Sequence, residues 1–166
     1  MTVLVVHGSK RGGTAGLAES IGQALRDLGH DVRVEPAVKV RQLAGVEAAG
    51  VEAAVVAGGL YANRWHKDAR TFVARNRKVL AGMPVWLVAC GPLDETADAG
   101  TLPPVPQVAA LVAMIGARGA ETFGGFLSPD ASGFPASAMA KTRAGDWRNE
   151  DRIRVWAAGV HEALVG

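Results

Sequence analysis

Apolar residues recur along the chain in two alternating patterns, one typical of buried strands and one typical of helices. Val3 to Val6 is a continuous aliphatic run, as expected of a strand that is buried on both faces. A stripe at helical spacing follows and ends at Gly29, where a left-handed C-cap is expected. The stripe comprises Ala18, Ile21, Leu25 and Leu28.

The same alternation continues towards the C-terminus. Further strands are predicted at residues 32–35, 53–57, 85–89 and 122–127, and helical stripes at 69–80, 108–115 and 153–164. Pro36 ends the second strand and marks it as an edge strand. Five strands with intervening helices predict an α/β three-layer sandwich with a parallel sheet, for which 2-1-3-4-5 is one common strand order.

Composition and charge narrow the class of protein. A chain of 166 residues with 49% hydrophobic residues is interpreted as a single domain, residues 1–166. The net charge of +2 without a clustered basic stripe does not favour nucleic-acid binding. One cysteine and four scattered histidines favour neither a disulfide nor a zinc motif. The lack of a long apolar run or a signal-peptide pattern predicts a cytoplasmic protein without an integral membrane segment.

Three glycine-containing loops follow the predicted central strands. They span residues 9–14, 58–66 and 90 to about 104. In a doubly wound sheet, ligands bind beyond the carboxyl ends of the strands, where the strand order reverses. We therefore expect these three loops to meet at one ligand site.

The first loop, Ser9-Lys10-Arg11-Gly12-Gly13-Thr14, has the residue types of an anion site. It opens a helix, whose first N–H groups and positive dipole end favour an anion, and its glycines let an oxygen approach the backbone. The spacing matches neither a P-loop nor the G-x-G-x-x-G dinucleotide motif. The same residues also suit a simple helix cap in a tight turn, and the six residues do not decide between the two interpretations.

The second loop contains aromatic, amide and cationic residues close together. A planar aromatic ligand with a phosphate tail suits this combination, because Tyr61 or Trp65 can cover a ring and Arg64 can supply positive charge. The alternative is that both aromatic side chains pack on the neighbouring helix. Cys90, in the third loop, fits a buried small hydrophobe better than a reactive thiol.

Taken in order, these motifs resemble the flavodoxin-like proteins, and within them the branch that includes the menaquinone-dependent protoporphyrinogen oxidases and related flavodoxin-domain proteins. Residues 9–14 resemble the Ser/Thr-x-x-Gly-x-Thr phosphate loop and residues 58–66 the second flavin loop, while residues 123–127 and 145–147 are similar to the oxidase branch in particular. The resemblance implies a flavodoxin-like fold and non-covalent FMN binding. The residues implied are Ser9, Lys10, Arg11, Gly12, Gly13 and Thr14 at the phosphate, Tyr61, Ala62, Asn63, Arg64 and Trp65 beside the ring, and Cys90, Gly91, Pro92 and Leu93 at its other side or edge.

Two functions follow from this resemblance. The first is an FMN-dependent oxidoreductase that passes electrons from a small organic, porphyrinogen-like substrate to a quinone or other acceptor. The alternative is a one-electron carrier serving a cognate reductase. Carrier flavodoxins are strongly acidic, so the slightly basic charge of this chain favours the oxidoreductase. The expected partners are FMN and either a small-molecule substrate or a redox partner protein, with a homodimer as a further option; no catalytic residue and no metal ligand are predicted.

Overall fold

The central sheet consists of five parallel strands, which a computed structural model describes together with the flanking helices. The described residues are 1–9, 12–40, 42–43, 50–91, 97–98, 102–127 and 145–166. The strands are β1 (Thr2–Gly8), β2 (Asp31–Pro36), β3 (Ala53–Tyr61), β4 (Arg64–Trp65), β5 (Val85–Cys90), β6 (Gly119–Phe123), β7 (Phe126–Leu127) and β8 (Gly145–Asp146). The helices are α1 (Gly12–Asp27), α2 (Ala37–Val40), α3 (Lys67–Arg75), α4 (Arg77–Leu80), α5 (Pro106–Ile115) and α6 (Glu150–Val165).

The strand order of the sheet is β2-β1-β3-β5-β6, with the short β4 paired antiparallel to the end of β3. Counted among the five long strands this is 2-1-3-4-5, so the predicted α/β sandwich and its strand order are confirmed. The edge position predicted for the second strand is also confirmed, because β2 pairs only with β1 among the described strands. The order reverses between β1 and β3, which places a ligand crevice beyond their carboxyl ends.

Alternate residues of the central strands build a hydrophobic core on each face of the sheet. Val3 and Val5 belong to the core beneath α1 and α6, while Leu4 and Val6 belong to the core beneath α2 to α5. All four are fully buried. Two-sided burial explains the continuous apolar runs of β1, β3 and β5, since neither face of these strands meets solvent.

Two elements differ from the sequence prediction. The helix predicted over residues 69–80 is interrupted at Asn76, whose buried side chain accepts a hydrogen bond from the Leu43 amide at 2.7 Å and donates one to the Phe72 carbonyl at 2.9 Å. The fifth strand ends at Phe123 instead of residue 127, and β7 pairs antiparallel with β8. No helix in the described ranges is long and apolar enough to cross a membrane.

The ending of β6 has a local cause at Gly124. A Cβ added to Gly124 would lie 1.9 Å from the Trp147 carbonyl oxygen, and the Trp147 amide donates to the Gly125 carbonyl at 2.8 Å. Gly124 therefore lets the chain before α6 approach the end of β6, as a glycine at a strand end indicates. This brings residues 145–149 to the carboxyl edge of the sheet.

Candidate functional site

The first turn of α1 forms one side of the crevice. β1 ends at Gly8 and the helix begins at Gly12, so Gly12, Gly13 and Thr14 provide its first residues. No acidic side chain occupies this turn. The first N–H groups of a helix have no acceptor inside the helix and lie at the positive end of its dipole, so this turn has the properties of an anion site. Ser9 is described, whereas the predicted Lys10 and Arg11 lie outside the described residues.

Gly59 of β3 brings this turn into contact with the second loop. A Cβ added to Gly59 would lie 3.1 Å from Thr14 Oγ1 and 3.0 Å from Tyr61 Cε2. Both distances are tighter than an ordinary van der Waals contact, so a side chain here would have to displace Thr14 or Tyr61 slightly. Thr14 is buried and Tyr61 is half-buried. Residues from the first two predicted loops therefore share one wall of the crevice.

The second loop is a hairpin with a two-residue turn. β3 and β4 pair Tyr61 with Arg64, and the intervening Ala62 and Asn63 have φ of 50° and 60°. Two successive positive φ angles are typical of a type I′ turn, which matches the twist of a hairpin. The turn places Ala62, Asn63 and Arg64 at the exposed tip, next to the half-buried Tyr61.

The two aromatic candidates of this hairpin have different environments. Trp65 is only 1% exposed, and its indole N–H donates to the Val88 carbonyl at 3.1 Å. Its ring packs against Gly58 and belongs to the core under α3. The structure thus places Trp65 behind the crevice, packed as the alternative interpretation predicts, and leaves Tyr61 as the aromatic side chain at the surface of the hairpin.

His66, which is absent from the predicted site residues, supports Tyr61 from behind. The two rings meet edge to face with centroids 5.8 Å apart. His66 is buried and fixed at both ends, because its amide donates to the Gly59 carbonyl at 2.9 Å and its Nδ1 accepts from the Asp68 amide at 3.1 Å as the N-cap of α3. The sequence signal for this role is the position of His66 immediately before a helix, followed by an acidic residue in the first turn.

The third loop begins at Cys90, at the end of β5. Burial raises the pKa of the Cys90 thiol to about 11, and a hydrogen bond with the Thr14 side chain opposes this shift only in part. The thiol is therefore protonated at neutral pH and unreactive, as expected of a small buried hydrophobe. Gly91 has a φ of 144°, and a Cβ added there would lie 3.2 Å from the Leu60 Cβ. Pro92 and Leu93 lie outside the described residues.

A cation that the sequence did not predict lies beside the first turn of α1. Nη1 of Arg148 donates to the Gly13 carbonyl at 3.2 Å. The same guanidinium forms a two-point pair with Asp146, through Nε at 2.9 Å and Nη2 at 2.8 Å. These hydrogen bonds hold the pKa of the Asp146 carboxyl below its usual value and raise the pKa of Arg148. The only local signal was a basic residue two positions after an aspartate, which does not reveal a contact across 135 residues.

A family model described as Flavodoxin domain matches residues 4–127 of the chain. The chain belongs to the flavodoxin domain family. Flavodoxins are FMN-binding proteins, so the predicted cofactor is confirmed at the level of the family. The comparisons give no support to the protoporphyrinogen oxidase branch that the sequence resembled.

Solved flavodoxin structures share the fold of this family member at low sequence identity. A cysteine-to-serine mutant of flavodoxin from Pseudomonas aeruginosa is 18% identical, with 95% of this chain and 97% of that chain covered and a TM-score of 0.59. Oxidised flavodoxin 2 from Bacillus cereus is 15% identical, with 98% and 99% covered and a TM-score of 0.59. A flavodoxin from the domain Archaea is 14% identical, with full coverage of both chains and a TM-score of 0.56. No curated protein matches the sequence significantly.

Proposed function

We propose that this flavodoxin-family chain binds FMN non-covalently and serves as a one-electron carrier for a redox partner protein. The observation that carries the proposal is the shared contact of Thr14 and Tyr61 with the space above Gly59, at the end of β3. It joins an anion-binding helix terminus to an aromatic side chain at the point where the strand order reverses. A phosphate and a planar ring on one ligand require that combination.

The phosphate of FMN would lie at the first turn of α1. Gly12 and Gly13 have no Cβ to hinder an oxygen, and the turn carries no acidic side chain. The Thr14 hydroxyl is buried between the first and third loops, within reach of Cys90. Backbone N–H groups of this turn, with the Ser9 and Thr14 hydroxyls, would hold the phosphate oxygens.

The ring of FMN would lie against the hairpin and the start of the third loop. Tyr61 is the aromatic candidate for one side, and His66 restricts its movement through their edge-to-face contact. Trp65 would act indirectly, by holding β4 to the sheet through its hydrogen bond to Val88. Gly91, whose φ of 144° favours glycine, begins the third loop beside Leu60, and the exposed Arg64 adds positive charge at the rim.

The bound flavin supplies the electron transfer, and the chain supplies its binding and surroundings. Neither the protonated Cys90 thiol nor His66, which uses Nδ1 as a helix cap, is set up for acid–base catalysis. Membership of the flavodoxin family supports a carrier over an enzyme that acts on an organic substrate. The exposed Arg64 and Lys67 beside the hairpin favour a partner with an acidic docking surface.

Two measurements test the proposal with the purified chain. FMN and riboflavin are titrated separately by flavin fluorescence; we expect FMN to bind more tightly, because only FMN has the phosphate. Thr14→Val should weaken FMN binding, whereas Thr71→Val, which removes an exposed hydroxyl on α3, should not. No FMN binding by the folded chain would contradict the proposal.

The second measurement separates the carrier from the oxidoreductase. We expect a redox titration of the FMN-loaded chain to resolve two one-electron steps, and we expect no turnover when a porphyrinogen and a quinone are supplied together. Sustained porphyrinogen oxidation would contradict the carrier and support the oxidoreductase that the sequence favoured.

A further inference from the structure

Arg148 is a fixed cation against the side of α1, although it comes from a segment more than a hundred residues later in the chain. Its guanidinium contacts the first turn through the Gly13 carbonyl at 3.2 Å. Asp146 holds it by two hydrogen bonds, and the Arg148 amide also donates to Asp146 Oδ1 at 3.0 Å. The Arg148 side chain is only 19% exposed, so its position is defined by these contacts.

Gly16 of α1 makes room for this guanidinium. Gly13 and Gly16 are three residues apart and so lie on the same face of the helix. A Cβ added to Gly16 would lie 2.1 Å from Nη1 of Arg148, which is closer than any real contact. Glycine is a poorer helix former than alanine, and an alanine at this position would have to displace the guanidinium from its contact with α1.

The charge of Arg148 has the wrong sign for its place in the fold. Cations are disfavoured near a helix N-terminus, since the dipole there is positive. Asp146 and Glu150 face the guanidinium and offset part of this repulsion. An anion bound at the same turn would offset the repulsion between Arg148 and the helix dipole, because the anion attracts both the helix terminus and the guanidinium.

We propose that Arg148 is a positioning residue of the phosphate site, which fixes the first turn of α1 through Gly13 and adds positive charge beside the phosphate of FMN. This rests on the proposed function, in which the phosphate lies at that turn. Arg148 acts through the turn and through its charge, and the flavin ring is held by other residues. Its contribution therefore depends on the phosphate group of the ligand.

The test compares FMN with riboflavin, which has the same ring and no phosphate. Arg148→Met removes the charge and keeps much of the side-chain volume. We expect it to weaken FMN binding about fivefold, the effect of one partly exposed charge near a helix terminus, and to leave riboflavin binding unchanged. Arg148→Lys keeps the charge but not the two-point pair with Asp146, so we expect it to recover part of the lost FMN affinity.

A matched control has the same change of charge on the first turns of α6. Arg154→Met removes an exposed arginine that pairs with Asp151, and we expect no change for either ligand. We also expect the salt dependence of FMN binding to decrease in Arg148→Met and to stay unchanged in Arg154→Met, since a screened charge has been removed only from the site.

The outcomes separate this proposal from the one on which it rests. Equal weakening of FMN and riboflavin by Arg148→Met would show a merely structural role and overturn the inference, and so would unchanged FMN binding. If Arg148→Met does not fold, Arg148→Gln, which removes the charge and keeps a side-chain donor, decides: unchanged FMN binding together with unchanged salt dependence would overturn the inference. A wild-type chain that binds FMN and riboflavin equally would instead contradict the phosphate site itself.

Discussion

The first turn of α1 and the segment at residues 145–149 lie side by side at the crevice, yet only the first was predicted from the sequence as an anion site. The turn carries its signal in six consecutive residues, with a strand before it and a helical stripe after it. Arg148 carries no such signal, because its contacts with Gly13 and Gly16 depend on how the C-terminal chain returns to the sheet. Local chemistry is visible in a sequence, whereas a side chain contributed from far along the chain is visible only in the fold.

The largest effect we expect distinguishes Tyr61 from Trp65, two hairpin residues for which the sequence predicted the same role of covering a ring. Trp65→Ala removes a fully buried ring and its hydrogen bond to Val88, so we expect about 4 kcal/mol lower free energy of unfolding. Tyr61→Ala, at a half-buried position, should cost less than half of that and still weaken FMN binding. Urea denaturation and FMN titration of both variants measure the two effects. Similar losses of stability would contradict the division of roles between the two residues.

Gly124 tests the attachment of the C-terminal segment. Gly124→Ala places a Cβ against the Trp147 carbonyl, where backbone must move, and we expect about 2 kcal/mol of destabilisation in urea. Gly159→Ala is the matched control: nothing lies within 4 Å of the added Cβ on α6, so we expect a gain of about 0.5–1 kcal/mol. If Gly124→Ala is as stable as the control, the close approach of Trp147 does not hold the segment in place.

The C-terminal helix is attached at its other end by a histidine pair, which makes stability depend on pH. His30 Nε2 and His161 Nδ1 are 2.8 Å apart, and burial lowers the pKa of His30 below 6.5. The unfolded state therefore binds more protons in the range below pH 6.5, and stability falls as the pH decreases through it. We expect the urea midpoint to decrease between pH 7.5 and pH 5.5, and His30→Gln to reduce that decrease. An equal decrease in the variant would exclude His30 as its source.

The smallest effect concerns the turn of the hairpin. Ala62 has a φ of 50°, a left-handed conformation that costs an alanine roughly 1 kcal/mol. Glycine adopts it freely but loses more chain entropy on folding, so we expect Ala62→Gly to stabilise the protein by about 0.5 kcal/mol. Thermal unfolding measures the difference. A clear destabilisation would show that the Ala62 methyl group makes a contact worth more than the strain.

The sequence predicted the five strands and their order because continuous apolar runs and helical stripes are local patterns. It also placed Thr14, Tyr61 and Cys90 at one edge, since the carboxyl ends of parallel strands meet there. It left open whether Trp65 covers a ligand or packs inside, because both need an aromatic residue after β3 and only the neighbouring Gly58 and Val88 decide. The predicted end of the fifth strand, at residue 127, was wrong for a similar reason, since the β7–β8 pairing joins residues far apart in the chain. All the predicted FMN contacts stay predictions, and Lys10, Arg11, Pro92 and Leu93 lie outside the described residues.

The most direct test of the account is an amide NMR titration of the isotope-labelled chain with FMN and, separately, with riboflavin. We predict that FMN perturbs the amide signals of Gly12, Gly13 and Thr14 most strongly, together with signals of the Tyr61 hairpin. Riboflavin should perturb the hairpin and leave the first turn of α1 almost unchanged, because it lacks the phosphate. Equal perturbation of that turn by both ligands, or none by FMN, would contradict a phosphate site at the start of α1.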